Sequence, residues 1–409
     1  MRKYNRTNFI AVSFTLMAFL LTFCTAPSTP IENSEEVANP VLTDAPVDAS
    51  EAPLASDVCS NPVDQPKEAE TLATNDPNTF AWKLFLALNC PAQGDQASPL
   101  VWETWKPSDL VYLPGGQKPD PWGSPLPDPR NLSIGPEISG YSLKDTSGQP
   151  ALYEVRMNES TFQYIVDRTL YSKAGQLQFF NSPTAAPIAF NQDAIEIKAA
   201  WLILDPSDKA VASRYHTASA NYVDENGNTQ QAFVGLSGFH IISRIVPNWV
   251  WITFEQVDNQ SKTGIQPTRP IPPEVKTLND TIHAGLPPDS SWKYYNLQGT
   301  QTQFTEGGNP TLLANTLIET NFQNSSSCIT CHQLASRGAV TRGRLAMFNT
   351  QNGIQGYVGT IDDPTKTYRD ASGKLVCFHA DTGAFFDCKD PTVLAYKLTD
   401  FVWSLREAQ

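Results

Sequence analysis

Positive charge is scarce in this chain: 29 Lys and Arg stand against 42 Asp and Glu over 409 residues, a formal net charge of -13 at pH 7. Binding to a phosphate backbone needs a clustered basic surface, so this balance argues against a nucleic-acid partner and points to an acidic protein whose charged partners are basic. Long apolar runs are also lacking. The most extended, Phe9 to Phe23, is too short to span a membrane comfortably. There is no internal repeat, and the length is enough to bury a sizeable core in about two domains.

What the N-terminus does have is an export signal. Arg2, Lys3 and Arg6 precede that apolar run, so residues 1–23 read as a signal peptide. Cys24 then stands where a lipoprotein signal puts its acylated cysteine, whereas Phe23 is larger than that signal wants and cleavage after Ala26 is the alternative. The expected location is outside the cytoplasm, either periplasmic or as a membrane-anchored lipoprotein with its lipid on Cys24. Residues 24–75 are dense in Pro, Ser, Ala, Asp and Glu without a hydrophobic period, as in a disordered tether.

An oxidising compartment favours disulfides. Of seven cysteines, Cys377 and Cys388 flank a hairpin-like stretch whose turn, if it spans 381–384, sets them opposite each other. Cys59 and Cys90 are then left to pair, tying the end of the tether to the first helix; Cys90 as a buried thiol is the alternative.

The fold class expected is α+β, a mainly antiparallel β core with a C-terminal helical and loop region. Asp76 caps a helix with Pro77 at its first position and an end near Asn89. Residues 101–136, rich in Pro, Gly and Trp, read as loops over the core. Strand patterns cover 194–204, 214–223, 231–246 and 249–254, with Asn226-Gly227 as a hairpin turn. Asp224, Asn226 and Asn228 have the spacing of a calcium loop but not its following Gly and acidic ligand, so a turn is the reading. The domains expected are 76–265, β-rich with an N-terminal helix; 266–300, a Pro-rich connector; and 301–409. A last helix is predicted from Asp390-Pro391, with Leu394, Leu398, Phe401 and Leu405 on one face.

Residues 328–332 read Cys-Ile-Thr-Cys-His. Two thiols three positions apart followed by histidine are what covalent haem attachment needs: each thiol adds to a porphyrin vinyl group, and the imidazole reaches the iron. A structural zinc site would want a second ligand pair at matching spacing, and a redox dithiol a thioredoxin-like βαβ setting. Neither context is present. The cofactor expected is therefore one haem c on Cys328 and Cys331, with His332 as proximal ligand, in the region 301–409.

Two residues compete for the sixth iron position. Met347 follows His332 by fifteen residues, and a core methionine is its other reading. His240 lies on a strand apolar on both faces and is predicted buried, with Phe233, Phe239, Ile241 and Ile245 on one face and Val234, Leu236, Ile242 and Val246 on the other. A turn centred on Asn226-Gly227 sets His216 opposite residue 237, so His216 and His240 point to opposite faces unless a bulge intervenes. His283 and His379 receive no role.

Several segments together resemble a family of uncharacterised exported bacterial c-type cytochrome-like proteins: TFAWKLFLALNCP from Thr79, VWETWK from Val101, AIEIKAAW from Ala194, GLSGFH from Gly235, WVWITFEQVDN from Trp249, LQGTQ from Leu297, residues 314–332, and TDFVWSL from Thr399. The family pattern has a histidine where this chain has Gln256, and a basic residue followed by Thr at Arg244-Ile245. The resemblance implies export and haem binding and carries no activity. Two functions follow as expectations: an electron-transfer cytochrome with a protein redox partner, or a haem enzyme, P460-like or peroxidase-type, whose β region forms a distal pocket. A haem-based sensor is a third. The cytochrome P460 group is similar in architecture and uses a lysine joined to the haem. Lys198 could match it, or it could pair with Glu196 or sit at the sheet edge. Glu255 and Asp258 are candidates for a proton relay.

Overall fold

Pro66 and Pro77 each sit at a first helical position, where the missing N–H is no loss, and the computed structural model has α1 over Pro66–Asn75 and α2 over Pro77–Leu88. It describes residues 58–94, 98–135, 143–181, 188–307, 309–338, 368–369, 375–379, 384–387 and 390–409. The signal peptide, Cys24, Met347 and Cys388 lie outside them. The start of α2 is as expected: the Asp76 side chain accepts from Thr79 N at 3.0 Å, and Asn89 is the C-cap. By contrast α1 lies within the stretch read as tether. Cys59 and Cys90 form a disulfide, which links the segment before α1 to the end of α2. It closes a loop with a sequence separation of 31, so the C59S/C90S variant should lose about 3–4 kcal/mol of stability in urea unfolding.

The β region is one eight-stranded sheet: β1 (Lys106–Pro107), β2 (Arg130–Ile134), β3 (Leu152–Met157), β4 (Ile195–Ile203), β5 (Thr217–Val223), β6 (Thr229–Ser243), β7 (Val250–Gln256) and β8 (Tyr295–Gln301). Strand β4 pairs with both β3 and β6, so β3, β2, β5, β6 and β4 close a ring that β1, β7 and β8 extend. Closure depends on the one parallel pair, β2 with β5 (Arg130 opposite Ala220). Strand β2 lies where only loops were expected. The stretch read as a connector holds the helix Pro273–Gly285 as well as β8. Helix α2 is buried almost all round. Its Phe85 stacks on Phe254 of β7 at 4.0 Å, and Trp82 Nε1 donates to Asn279 Oδ1 at 2.8 Å.

His216 and His240 do lie on opposite faces of this sheet, for a reason the sequence pattern did not give. The loop at Asn226-Gly227 runs from 224 to 228, held by Asp224 Oδ1 accepting from the backbone N–H of Asn226 and Asn228, and it sets Val223 opposite Thr229. His216 is thereby opposite Leu236 rather than residue 237. The irregularity where Leu236 and Gly238 oppose Trp201 and Ala200 then shifts the alternation by one. As a result Val234 and Leu236 pack in the same core as Phe239 and Ile241, not on the face of Ile242.

A second sheet holds two-residue to nine-residue strands near the C-terminus. After the short ladder of β9 (Thr305–Glu306) and β10 (Asn309–Pro310) come β11 (Ser336–Gly338), β12 (Tyr368–Arg369), β13 (Leu375–His379), β14 (Ala384–Asp387) and β15 (Asp390–Leu398), in the order β11-β15-β14-β13-β12. The helix expected from Asp390 is thus strand β15. Apolar residues four apart, such as Leu394 and Leu398, fit either period, and pairing with β14 and β11 decides for strand. The hairpin of β13 and β14 exists, but its register puts Cys377 opposite Phe386, not opposite 388. Among the described residues no helix is long and apolar enough to cross a membrane.

Candidate functional site

Residues 328–333 form one helical stretch, Cys328–Gln333, whose Cys331 N–H bonds to Ser327 O at 2.9 Å. Positions i, i+3 and i+4 of a helix share a face, and Cys328, Cys331 and His332 line one cavity of about 490 Å³. That is within the range of roughly 300–1,000 Å³ of sites that enclose cofactor-sized molecules. Both thiols are reduced and buried. Burial pushes Cys331 up to about 12 and Cys328 well above its ordinary value, the opposite of the lowered thiol a redox dithiol needs. Among the described residues no three His, Cys, Asp or Glu are gathered to hold a bare metal ion.

His332 is fixed in one tautomer. Its Nδ1 is 2.9 Å from Phe401 O; a carbonyl only accepts, so Nδ1 carries the proton and Nε2 keeps the lone pair for a metal. Burial lowers the imidazole to about 4, so it is neutral at pH 7. The carbonyl is presented by a strained turn in which Asp400 and Phe401 have φ of 49° and 67°. Asp400 holds that turn, accepting from Phe190 N at 2.7 Å and from Arg244 Nε at 3.3 Å. Trp251 of β7 lies beside the ring, 4.5 Å between centroids, and Trp403 Nε1 donates to Cys331 O at 3.2 Å.

The opposite wall is the face of the large sheet. Lys198 of β4 and His240 of β6 are directly opposed across the strands, and both line the cavity, as do Tyr153, Glu196 and Glu319. Lys198 is therefore on a strand bonded on both sides, neither at a sheet edge nor paired with Glu196. Its ammonium lies 5.5 Å from the centre of the Tyr153 ring, and burial lowers its pKa. His240 Nε2 faces Glu319 Oε2 at 3.5 Å, long for a hydrogen bond, and has no closer partner among the described residues. Glu319 accepts from Asn315 N at 2.7 Å. Burial opposes its ionisation, but the neighbouring His240, the Asn315 N–H and Lys198 outweigh that and hold its carboxyl below the ordinary value.

Glu196 behaves in the opposite way. Burial drives its carboxyl up to about 8, against the hydrogen bond donated by Ser404 Oγ at 2.8 Å. The folded chain thus binds a proton that the unfolded chain releases near pH 4.5. This contribution to stability is fully present below that value and is lost as pH rises through about 8. Urea unfolding at pH 5 and pH 8 should accordingly show wild type losing on the order of 3 kcal/mol more than E196Q over that interval.

The other sequence candidates are not brought here. His216 bonds Glu103 on the far face of the sheet at 2.9 Å, and His283 bonds Tyr295 O at 2.8 Å. Glu255 is buried with Thr316, and Asp258 is paired with Arg214 at 2.6 Å, so they form no relay at the cavity. Gln256 bonds Arg214 O and Asp258. Trp251, Tyr153, Glu196 and Glu319 were not expected at a site from the sequence, where Glu196 figured only as a possible partner of Lys198. The first three share the alternation of Lys198 and His240 on one sheet face, but the strand order needed to see this is not local.

No family model, curated protein or solved structure matches this chain. The functional reading therefore rests on the geometry of the cavity.

Proposed function

We propose that the chain is an exported monohaem c-type protein, with one haem c joined to Cys328 and Cys331 and His332 as proximal ligand, and that it acts as a haem oxidoreductase on a small molecule. The observation that carries this is the cavity itself: the two thiols and the imidazole open onto a built wall that holds Lys198, His240 and Glu319. These residues fit the group. Each thiol S–H adds across a vinyl double bond, sulfur to one carbon and hydrogen to the other, with no oxidant required. Phe401 O orients His332, and Trp251 restrains its ring. When bound, the haem supplies one-electron redox chemistry and an iron position for a small ligand. Glu319 faces His240 Nε2 at 3.5 Å, so in this reading His240 is a polar group of the cavity wall rather than an iron ligand.

The electron-transfer reading, with an unidentified protein redox partner, is favoured by Trp403, which spans from the motif backbone to the partly exposed surface. Visible spectra of the reduced protein with carbon monoxide separate the two. A shifted Soret band, meaning an open iron position, is expected. A six-coordinate spectrum indifferent to carbon monoxide contradicts the enzyme reading and leaves a carrier, with Met347 or His240 as sixth ligand.

A further inference from the structure

The cavity contains hydrogen-bonding capacity that the protein itself does not use. Lys198 makes neither a hydrogen bond nor an ion pair among the described residues; its one close partner is the ring face of Tyr153. Lys198 is half-buried and lines the cavity, so its ammonium is left for the cavity rather than for a partner in the protein. Across the strand, His240 Nε2 has Glu319 Oε2 at 3.5 Å and no closer partner among the described residues. Arg406 lines the same cavity from an exposed position and has no ion pair among the described residues. Its positive charge lies close enough to Lys198 to disfavour the ammonium. Both cations thus line one cavity without a direct ion pair among the described residues, and the opposite charge that reaches Lys198 most strongly is that of Glu319.

The nearest carboxylates make no direct ion pair with either cation. Glu319 is engaged by the Asn315 N–H and faces His240. Glu407 is hydrogen-bonded to Ser108, and burial raises its pKa. Glu196 is held protonated at pH 7.

We propose that Lys198, His240 and Arg406 together bind a small oxyanion inside this cavity, a carboxylate or an inorganic oxyanion of nitrite size. Arg406 attracts it at the mouth, and Lys198 and His240 hold its oxygens against the sheet. The oxyanion has two sources, a free small molecule or a propionate carboxylate of the haem. The identification of the haem rests on the preceding reading, but the cationic corner does not.

Calorimetric titration of the purified chain with nitrite and with acetate, in wild type, K198Q and R406Q, tests the site, with the visible spectrum reporting haem content separately. If the oxyanion is free, wild type binds a probe and each variant binds it about tenfold or more weakly, the loss expected for a charge-assisted hydrogen bond. If it is a propionate, no probe binds, but K198Q and R406Q each lower the reduction potential, and K198R restores most of it. Haem-loaded protein with no probe binding and unchanged potentials overturns the proposal while leaving the haem reading intact. A haem-free chain that binds the probe through Lys198 overturns the haem reading alone, and one that binds nothing overturns both. R406Q alters an exposed side chain, so its result does not depend on a buried substitution being tolerated.

Discussion

Replacing Arg130 with alanine should destabilise the protein by about 3–5 kcal/mol, the cost of leaving buried carboxylates without their partner. Arg130 joins β2 to the rest of the ring: its guanidinium pairs with Glu103 and, at 3.0 Å, with Glu154 of β3. Arg156 Nε holds the other oxygen of Glu154 at 2.6 Å, and His216 holds Glu103 at 2.9 Å. The guanidinium also lies 4.9 Å from the Trp201 ring centre and 5.6 Å from that of Trp102. Lysine at 130 keeps the charge but not the planar fork, and should recover less than half of the loss. The effect carries a pH signature. Burial alone would raise the Glu103 carboxyl, but the hydrogen bond and charge of His216 and the charge of Arg130 hold it well below 4.5. The stabilisation is therefore complete above about pH 4.5 and is lost as pH falls below it. The difference between wild type and R130A in urea unfolding should be largest at pH 6 and shrink as pH falls toward 3, where part of it remains.

The C328A/C331A variant should carry no covalent haem and still fold. Both side chains are small and buried, and the Sγ of Cys328 has only a long contact to Leu313 O, at 3.7 Å. Shortening each to alanine therefore costs about 1 kcal/mol or less. Haem staining of a denaturing gel should fall from one equivalent to background, with far-ultraviolet circular dichroism unchanged. His332→Ala removes the ligand and leaves the thiols, so haem remains attached but its spectrum changes to one lacking a proximal histidine. A loss of staining in H332A equal to that of the cysteine variant would assign His332 to attachment rather than to ligation.

Local signals were the ones that could be read directly. Asp76 and Pro77 mark the start of α2 through a cap and a fixed φ, and the spacing within 328–332 places Cys328, Cys331 and His332 on one helical face. The four main strand patterns are found at β4 to β7. What failed depends on partners remote in sequence. Strand β2 has weak local preference and exists because it pairs in parallel with β5, and an apolar spacing of four fits helix and strand alike, so pairing with β14 and β11 makes β15 a strand against its cap-like start. Lys198 could be placed on a strand, but its exposure depends on β4 lying between β3 and β6. Glu319 joins the site from a segment without regular structure, for which no sequence pattern exists.

The haem proposed on the pentad is the feature on which the proposed function depends. It is tested most directly by expressing the full chain in a host with cytochrome c maturation machinery and measuring the mass of the denatured protein and of the peptide containing Cys328 to His332. One haem retained through denaturation on that peptide is the predicted result. A mature chain whose Cys328 and Cys331 are both unmodified, under conditions in which a control c-type cytochrome is matured, would contradict it.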